Sequence, residues 1–373
     1  MVMKSAHMIM SMLLIIHPAQ AVQIAGALAM TDSSTNKRVV YFSHLKSIAC
    51  LAVVILHTFY AADAFAISNS QHMLALVLRN LMMWAVPCFV MVTGALLLDS
   101  KREVPLKKIF CKYLPRVVVA LVLFSIAFAI FDAFLLSKPI GEALITGLKA
   151  IVLGTGWRHM WYLYLMIGIY LLLPMFRMVV RSAGSGEIRY LLGVLFIFQA
   201  IIPMVQIIFN IEVPFYICIF SIYPLFLLAG YAIHNEIIVI NKWVSIALVL
   251  FGVLSLTMLT YLGVYRDSSI ANSLVGLYSF PGTVFMSVGV FSLAKSCYTR
   301  SSMDAIMIMI DKNSFGIYLL HMAVLKFFAV KVRPAIFDNP VWMIAEVIAA
   351  FVIPFVLVSI YCFVRKGLRL CKR

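Results

Sequence analysis

Charged side chains are scarce in this sequence. Only 12% of its 373 residues are Asp, Glu, Lys or Arg, whereas 64% are hydrophobic and the mean hydropathy is +1.05. A compact water-soluble domain has too little interior to bury that much apolar surface, so an ordinary soluble globule is excluded. The apolar segments are continuous rather than alternating, which excludes a transmembrane barrel. The sequence therefore predicts an all-α polytopic membrane protein.

Acidic residues are rarer still. Fourteen Asp and Glu stand against 30 Lys and Arg, which gives a net charge of +16. The basic residues flank apolar segments, where they act as topology and headgroup anchors, so we expect membrane lipids and no nucleic acid as partners. The seven cysteines lack paired spacing, and the dispersed histidines lack the spacing of a metal site. We therefore expect neither a disulfide framework nor a bound metal.

Long apolar stretches lie between charged or Gly- and Pro-containing breaks. A bilayer core requires roughly 20 apolar residues per helix, so these stretches predict about ten transmembrane helices. The predicted spans are residues 40–62, 74–98, 113–136, 159–180, 189–209, 214–233, 242–263, 273–294, 314–330 and 341–364. Residues 139–156 contain four glycines and are too short for a span, so we interpret them as a re-entrant or interfacial helix.

Lys and Arg are distributed unevenly between the alternate loops. One side holds 19 of them, including those that flank the first and the last span, and the opposite side holds 6. Positive residues near span ends stay on the cytoplasmic side. We therefore expect both termini to be cytoplasmic.

Residues 1–37 imitate a signal peptide, because a lysine and an apolar run precede small residues at 19–21. Cleavage there would place the following residues outside, against the cytoplasmic location predicted for Lys37 and Arg38. We therefore interpret 1–37 as a disordered extension or a mis-assigned start, with Met30 as the functional start. One integral-membrane domain is expected at 38–365, followed by a basic cytoplasmic tail at 366–373.

The ionisable residues of the first predicted span include Lys46 and His57. Such side chains are costly inside hydrocarbon, so each is a functional candidate. Their separation of eleven residues amounts to about three helical turns, which places them on one face about 16 Å apart. The alternative is a snorkelling lysine and a hydrogen-bonded histidine buried in the bundle.

Four segments carry a resemblance to a known family. The run HLKSIACLAVVILHTF (44–59) resembles the first span of integral-membrane acyltransferase family 3, in which an arginine precedes a histidine. VPCFVMVTGALLL (86–98), HMWYLYLMIGIYLLLPMF (159–176) and SFGIYLLHMAVL (314–325) are similar to later segments of that family, in the same order. The sequence departs in having Lys46 at the arginine position and Thr93-Gly94 at a Ser-Gly pair. A lysine keeps the positive charge but lacks the planar guanidinium, which binds a carboxylate or phosphate through two parallel hydrogen bonds.

The resemblance implies a membrane O-acyltransferase of the bacterial cytoplasmic (inner) membrane. Its donor would be acyl-CoA, commonly acetyl-CoA, on the cytoplasmic side, and its acceptor a hydroxyl of an extracytoplasmic or lipid-linked glycan. His57 would be the general base, because a neutral imidazole is well suited to take a proton near neutral pH. Direct transfer and a covalent acyl-imidazole both remain open.

Further candidates lie at the two predicted membrane surfaces. Lys112 and Arg116 belong to a basic run at the cytoplasmic start of the third span, where they suit the phosphates of CoA or serve as ordinary anchors. His159 and Trp161 begin the fourth span at the outer face, where they suit a sugar or form an aromatic belt. His321 matches a family position near mid-membrane, in a structural or a substrate-binding role.

Two other classes of function fit the same residues. In a transporter, Lys46, His57 and His321 would line a polar pathway, although the sequence shows no inverted repeat or paired broken helices. In a catalytically inactive acyltransferase-like sensor, the lysine at the arginine position would mark lost activity. Two acidic candidates, Asp132 and Glu346, lie toward the outer ends of their spans, where they either orient His57 or are solvated at the interface.

Overall fold

The structure is a computed structural model that describes residues 39–63, 66, 68–213, 221–332 and 340–370. The predicted extension at 1–37 lies outside the described residues, as does the end of the predicted basic tail at 371–373.

The part of the chain that the structure describes contains helices and no strands, which confirms the predicted fold class. These helices include two π-helical segments, Ile109–Tyr113 and Ile197–Ile201, and a short 3-10 helix, Arg158–Met160. The helices are α1 (Val40–Asp63), α2 (Asn69–Leu81), α3 (Ala85–Leu97), α4 (Leu106–Leu136), α5 (Ile140–Leu153), α6 (Trp161–Ser182), α7 (Ser185–Phe209), α8 (Tyr223–His234), α9 (Lys242–Tyr265), α10 (Ser269–Leu274), α11 (Pro281–Ser296), α12 (Asp304–Lys331) and α13 (Pro340–Leu370).

Eight helical stretches among the described residues are long and apolar enough to cross a membrane, where we expected about ten. The predicted span 273–294 is divided between α10 and α11, and the 16 residues of α11 reach about 24 Å, short of a hydrocarbon core of about 30 Å. Gly276 with a φ of 88° and Pro281 at the start of α11 cause this division. Of the predicted span 214–233, residues 214–220 lie outside the described residues.

The segment with four glycines forms α5, a helix of 14 residues that packs along α4. Gly147 allows this contact, because a Cβ there would lie 3.2 Å from the Cα of Ile126 and 3.2 Å from the Cβ of Ala129. Helix formation agrees with the sequence interpretation, and the depth of α5 in the membrane stays a prediction.

Helices α3 and α8 meet backbone to backbone. A Cβ added at Gly94 would lie 1.8 Å from the carbonyl oxygen of Leu227, and one added at Gly230 would lie 2.0 Å from that of Met91. Without a hydrophobic driving force in lipid, small residues at such crossings gain van der Waals contact. Gly94, from the family-like pair, therefore sets the distance between two helices, while Thr93 beside it faces the cavity described below.

Arg177 fixes the loop that follows α3. Its side chain is buried in α6, where Nη1 donates to the carbonyl oxygens of Leu97 and, at 3.5 Å, Asp99, and Nη2 donates to that of Arg102 at 2.7 Å. These carbonyls satisfy a cation that would be costly to bury alone. Arg177, one of the 19 Lys and Arg residues counted on the cytoplasmic side, is thus a structural clamp.

The helices differ in how much apolar surface they leave exposed. Helix α12 packs along α1 and α13, and much of α1 is buried. By contrast α9 presents an exposed stripe of Leu250, Leu254 and Met258, spaced one helical turn apart. Such a stripe is the surface that lipid covers, and the polar residues of α1 and α12 are left to face each other inside the bundle.

Candidate active site

A cavity of about 1030 Å³ lies between α1, α3, α4, α6 and α12. Two groups of its polar lining residues are separated by about three helical turns along α1. We call them the lysine end (Lys46, Asp311) and the histidine end (His57, Tyr60, Trp157, Arg158, His159, Lys326). Tyr113, Arg116 and Tyr170 also line the cavity, from α4 and α6. Apolar side chains from α1 and α3 line the wall between the two ends, among them Val53 and Phe89.

At the lysine end, Lys46 of α1 meets Asp311 of α12. The ammonium lies 2.6 Å from Oδ1 of Asp311, and Ser43 donates to Oδ2 at 2.9 Å. Only 2% of the Asp311 side chain is exposed, so this carboxylate needs its cation to be tolerated in the interior. The pair holds the ammonium of Lys46 at the cavity wall.

At the histidine end, three imidazoles from three helical segments come together. The ring centroid of His57 lies 5.2 Å from that of His321 and 6.4 Å from that of His159, and the last two are 5.5 Å apart. His321 donates from Nδ1 to the carbonyl oxygen of Ile317 at 3.2 Å, because a carbonyl can only accept. This leaves Nε2 of His321 as an acceptor, buried and without a hydrogen-bond partner among the described residues.

His159 is held by its backbone rather than its ring. Tyr318 of α12 donates to the carbonyl oxygen of His159 at 2.5 Å, and the Tyr318 ring packs 5.5 Å from the imidazole. Both ring nitrogens of this buried histidine lack a hydrogen-bond partner in the described part of the chain. They are polar groups available to a ligand.

Aromatic and charged side chains surround the imidazoles. Trp157 stacks on Phe128 with centroids 4.1 Å apart and donates from Nε1 to Asp132 at 2.9 Å. Asp132 also pairs with Lys326 at 2.7 Å, and the Lys326 ammonium lies 4.8 Å from the Trp157 ring centre. Asp132, a sequence candidate for orienting His57, thus holds Lys326 and Trp157.

A second cation, Arg158, lies at the same end with a different environment. Its guanidinium lies 4.9 Å from the ring centre of Tyr60, a geometry of cation–π attraction. Tyr60 is on α1, one helical turn beyond His57, so the contact places Arg158 beside the imidazole cluster.

Most of the site residues predicted from the sequence lie at the cavity. Lys46, His57, Arg116, His159 and Trp161 line the cavity. His321 is fully buried behind His57. Lys112 falls in the π-helical segment of α4, one turn before Arg116, and is not among the cavity-lining residues of the described chain. The roles given to these residues stay predictions.

Asp311, Tyr60 and Lys326 line the cavity and were not recognised as site residues from the sequence. Asp311 lay outside the predicted span 314–330, whereas α12 begins ten residues earlier, at Asp304. The sequence offers only a weak signal: Asp311 is an acidic residue shortly before an apolar run, in a chain with a lysine inside its first span, which makes it a candidate but does not identify Lys46 as its partner.

Despite the clustered imidazoles, no group of three or more His, Cys, Asp or Glu residues in the described chain is arranged to hold a metal ion. The polar groups of the cavity are those of acid–base and ligand-binding chemistry.

Comparison with known proteins gives the class of this molecule. Residues 39–359 match the family model Acyl_transf_3, described as an acyltransferase domain. The match covers most of the chain, including every residue that lines the cavity. The chain therefore belongs to integral-membrane acyltransferase family 3 and is a membrane acyltransferase. No curated protein and no solved structure matches it.

Proposed function

We propose that this protein transfers an acyl group, most simply acetyl, from cytoplasmic acyl-CoA to a hydroxyl of an extracytoplasmic or lipid-linked glycan. The observation that carries the proposal is that Lys46 and His57, on one face of α1, line the two ends of a single cavity. The membrane would be the bacterial cytoplasmic (inner) membrane.

The lysine end suits the donor. The phosphates of CoA would lie against Lys46 and Arg116, with Lys112, one turn before Arg116 in α4, as a further cation. The Lys46 ammonium has three donors, so it can bind Asp311 and a phosphate oxygen together. The extended pantetheine arm that joins the phosphates to the thioester is comparable in length to the separation of about 16 Å along α1. The thioester would thus reach His57.

At the histidine end, His57 acts as general base in this proposal. It takes the proton of the acceptor hydroxyl while the hydroxyl oxygen bonds to the thioester carbonyl carbon. The carbon–sulfur bond then breaks, and the CoA thiolate leaves and takes the proton back from the His57 imidazolium. The neighbouring Nε2 of His321 can accept a hydrogen bond from the His57 ring after a small rotation, which makes His321 a positioning residue.

The acceptor would bind among aromatic rings. Trp161 lines the cavity and packs 5.8 Å from Tyr223 and 5.7 Å from Tyr278, so its ring is held rigidly. A sugar presents a face of C–H groups that packs on such a ring, and the free ring nitrogens of His159 can bind its hydroxyls.

Sidedness is tested by reporter fusions. Because of the 19-to-6 distribution of Lys and Arg, fusions within 101–112 and after residue 365 should report cytoplasm. Fusions within 264–271, after α9, should report the outside. A cytoplasmic signal from 264–271 would reverse the assignment of donor and acceptor to the two ends.

The activity is tested in purified protein reconstituted in nanodiscs, with labelled acetyl-CoA and glycans from a host strain that lacks the gene. Label should enter the glycans as a base-labile ester, and mass spectrometry should find the same ester on surface glycans only when the gene is present. Glycans that remain unlabelled, together with identical ester content in the two strains, would reject the proposed function.

A further inference from the structure

Four cations of the described residues line the cavity, Lys46, Arg116, Arg158 and Lys326, and they differ in their partners. Lys46 is paired with Asp311 at 2.6 Å, and Lys326 is paired with Asp132 at 2.7 Å. Arg158 contacts the Tyr60 ring, and no carboxylate of the described residues lies within ion-pair distance of its guanidinium. Arg158 is exposed. Because an arginine stays charged at any physiological pH, it gives the histidine end a positive charge that no carboxylate of the described residues neutralises.

From this charge we infer that the acceptor carries an oxyanion, a carboxylate or a phosphate, which binds Arg158 at the histidine end. The inference rests on the proposed function, because it names the class of glycan that the same site would acylate. It makes the acceptor an acidic sugar rather than a neutral one.

The contacts and position of the Arg158 guanidinium favour binding of an oxyanion. Cζ of Arg158 lies over the Tyr60 ring, 4.9 Å from its centre, and a cation–π contact by itself does not occupy the guanidinium N–H groups. Those N–H groups form the planar fork that binds carboxylate or phosphate through two parallel hydrogen bonds. Arg158 lines the cavity, so the fork can reach a molecule inside it.

The position of Arg158 limits where the oxyanion is on the glycan. Arg158 directly precedes His159, and its partner Tyr60 lies three residues after His57, a rise of about 4.5 Å along α1. A group bound there is therefore within the length of one sugar residue from the base. The oxyanion belongs to the sugar that is acylated or to the one linked to it.

The donor phosphates are a less suitable ligand for Arg158. They would have to lie beside the base, whereas the thioester is the part of the donor that must reach His57. With the phosphates at the lysine end, about 16 Å away, the two anionic groups have separate cations. This separation makes donor and acceptor affinities independent measurements.

The test compares three small acceptors in nanodisc-reconstituted protein: methyl glucoside, methyl glucuronide and glucose 6-phosphate. Wild-type protein should acylate one or both acidic probes with a higher kcat/KM than methyl glucoside. Arg158→Gln should raise the KM of the preferred acidic probe about 10- to 100-fold, the range for losing a hydrogen bond to a charged group, and should change the methyl glucoside KM and the donor KM far less. Arg158→Lys should recover part of the loss.

The matched control is Arg266→Gln, an exposed arginine at the end of α9 that does not line the cavity, which should behave as wild type. Preference for the glucuronide assigns a sugar carboxylate, and preference for glucose 6-phosphate assigns a phosphate. Equal kcat/KM for neutral and acidic probes would overturn the inference, as would an equal loss for all probes in Arg158→Gln.

A binding measurement separates this inference from the activity. Without acyl-CoA, the acidic probe should raise the thermal stability of wild-type protein but not of Arg158→Gln. If no probe or glycan is acylated but this stabilisation occurs, the proposed function fails and the oxyanion site stands. The remaining outcome is that acylation occurs while acidic probes neither stabilise the protein nor are preferred as acceptors. In that case the proposed function stands and the oxyanion site is rejected.

Discussion

At one end of the cavity a lysine is held by a buried aspartate, and at the other end an arginine lies on a tyrosine ring beside three imidazoles. The Lys46–Asp311 pair neutralises its own charges in the bundle interior and joins α1 to α12. Arg158 is exposed and has no carboxylate of the described residues within ion-pair distance, and the ring nitrogens of His159 have no hydrogen-bond partner in that part of the chain. A buried charge with a partner thus holds helices together, whereas an exposed charge is accessible to a ligand.

The largest effect is expected at the histidine end. Replacing His57 with Ala should lower kcat about 100-fold or more, the contribution of a positioned general base, and leave the amount of folded protein near normal. His72→Ala is the matched control, since His72 pairs with Asp63 at 2.9 Å and does not line the cavity. If His57→Ala acylates the acceptor at the wild-type rate, His57 is not the general base.

At the lysine end, we expect a single substitution to lower the stability of the folded protein. Lys46→Ala leaves Asp311 buried without its cation, at a cost of about 3–5 kcal/mol, so we expect less folded protein in detergent thermal scans. The double variant Lys46→Met with Asp311→Asn removes both charges and should restore folding.

In that double variant the donor KM should be raised about tenfold with little change in kcat, because only ground-state contact with a phosphate is lost. Lys242→Ala, an exposed lysine at the start of α9, is the control. An unchanged donor KM in the folded double variant would mean that Lys46 serves to hold α12 and that the donor lies elsewhere.

Trp161 tests the acceptor side with a smaller effect. Trp161→Ala should raise the acceptor KM about tenfold, the value of one aromatic contact, while the donor KM stays constant. Trp161→Phe should keep most of the affinity. Trp243→Ala, at an exposed tryptophan of α9, should change neither constant. If Trp161→Ala raises the donor KM instead, the acceptor does not bind against this ring.

The smallest effect is expected for Lys46→Arg. This substitution keeps the positive charge and introduces the guanidinium that the family has at this position. Activity should therefore stay within about threefold of wild type. Steady-state assays with varied acyl-CoA would measure it. A loss as large as that of the neutral double variant would show that the geometry of the Lys46–Asp311 pair matters more than its charge.

The long helices were predictable because the bilayer imposes length and composition together, as in α1 and α9. Residues 273–294 were mistaken for one span, because their mean hydropathy conceals the breaks at Gly276 and Pro281. Lys46 and His57 were predictable as a pair, because the helical repeat alone places them on one face.

The contacts between distant helices were not predictable. Nothing local in the sequence connects Asp311 with Lys46, or Tyr60 with Arg158, because these contacts depend on how α1 packs against α12 and against the segment before α6. Arg158 and Arg177 both lie near the ends of predicted spans, yet Arg158 lines the cavity and Arg177 is buried against carbonyl oxygens.

The clamp formed by Arg177 has a consequence for how this sequence can vary. Its guanidinium binds main-chain oxygens of residues 97, 99 and 102, which almost any amino acid supplies equally well. The amino acids of that loop can therefore be substituted during evolution without weakening the contact between α3 and α6. Position 177 itself has no such freedom, since lysine lacks the planar fork that binds several carbonyls at once.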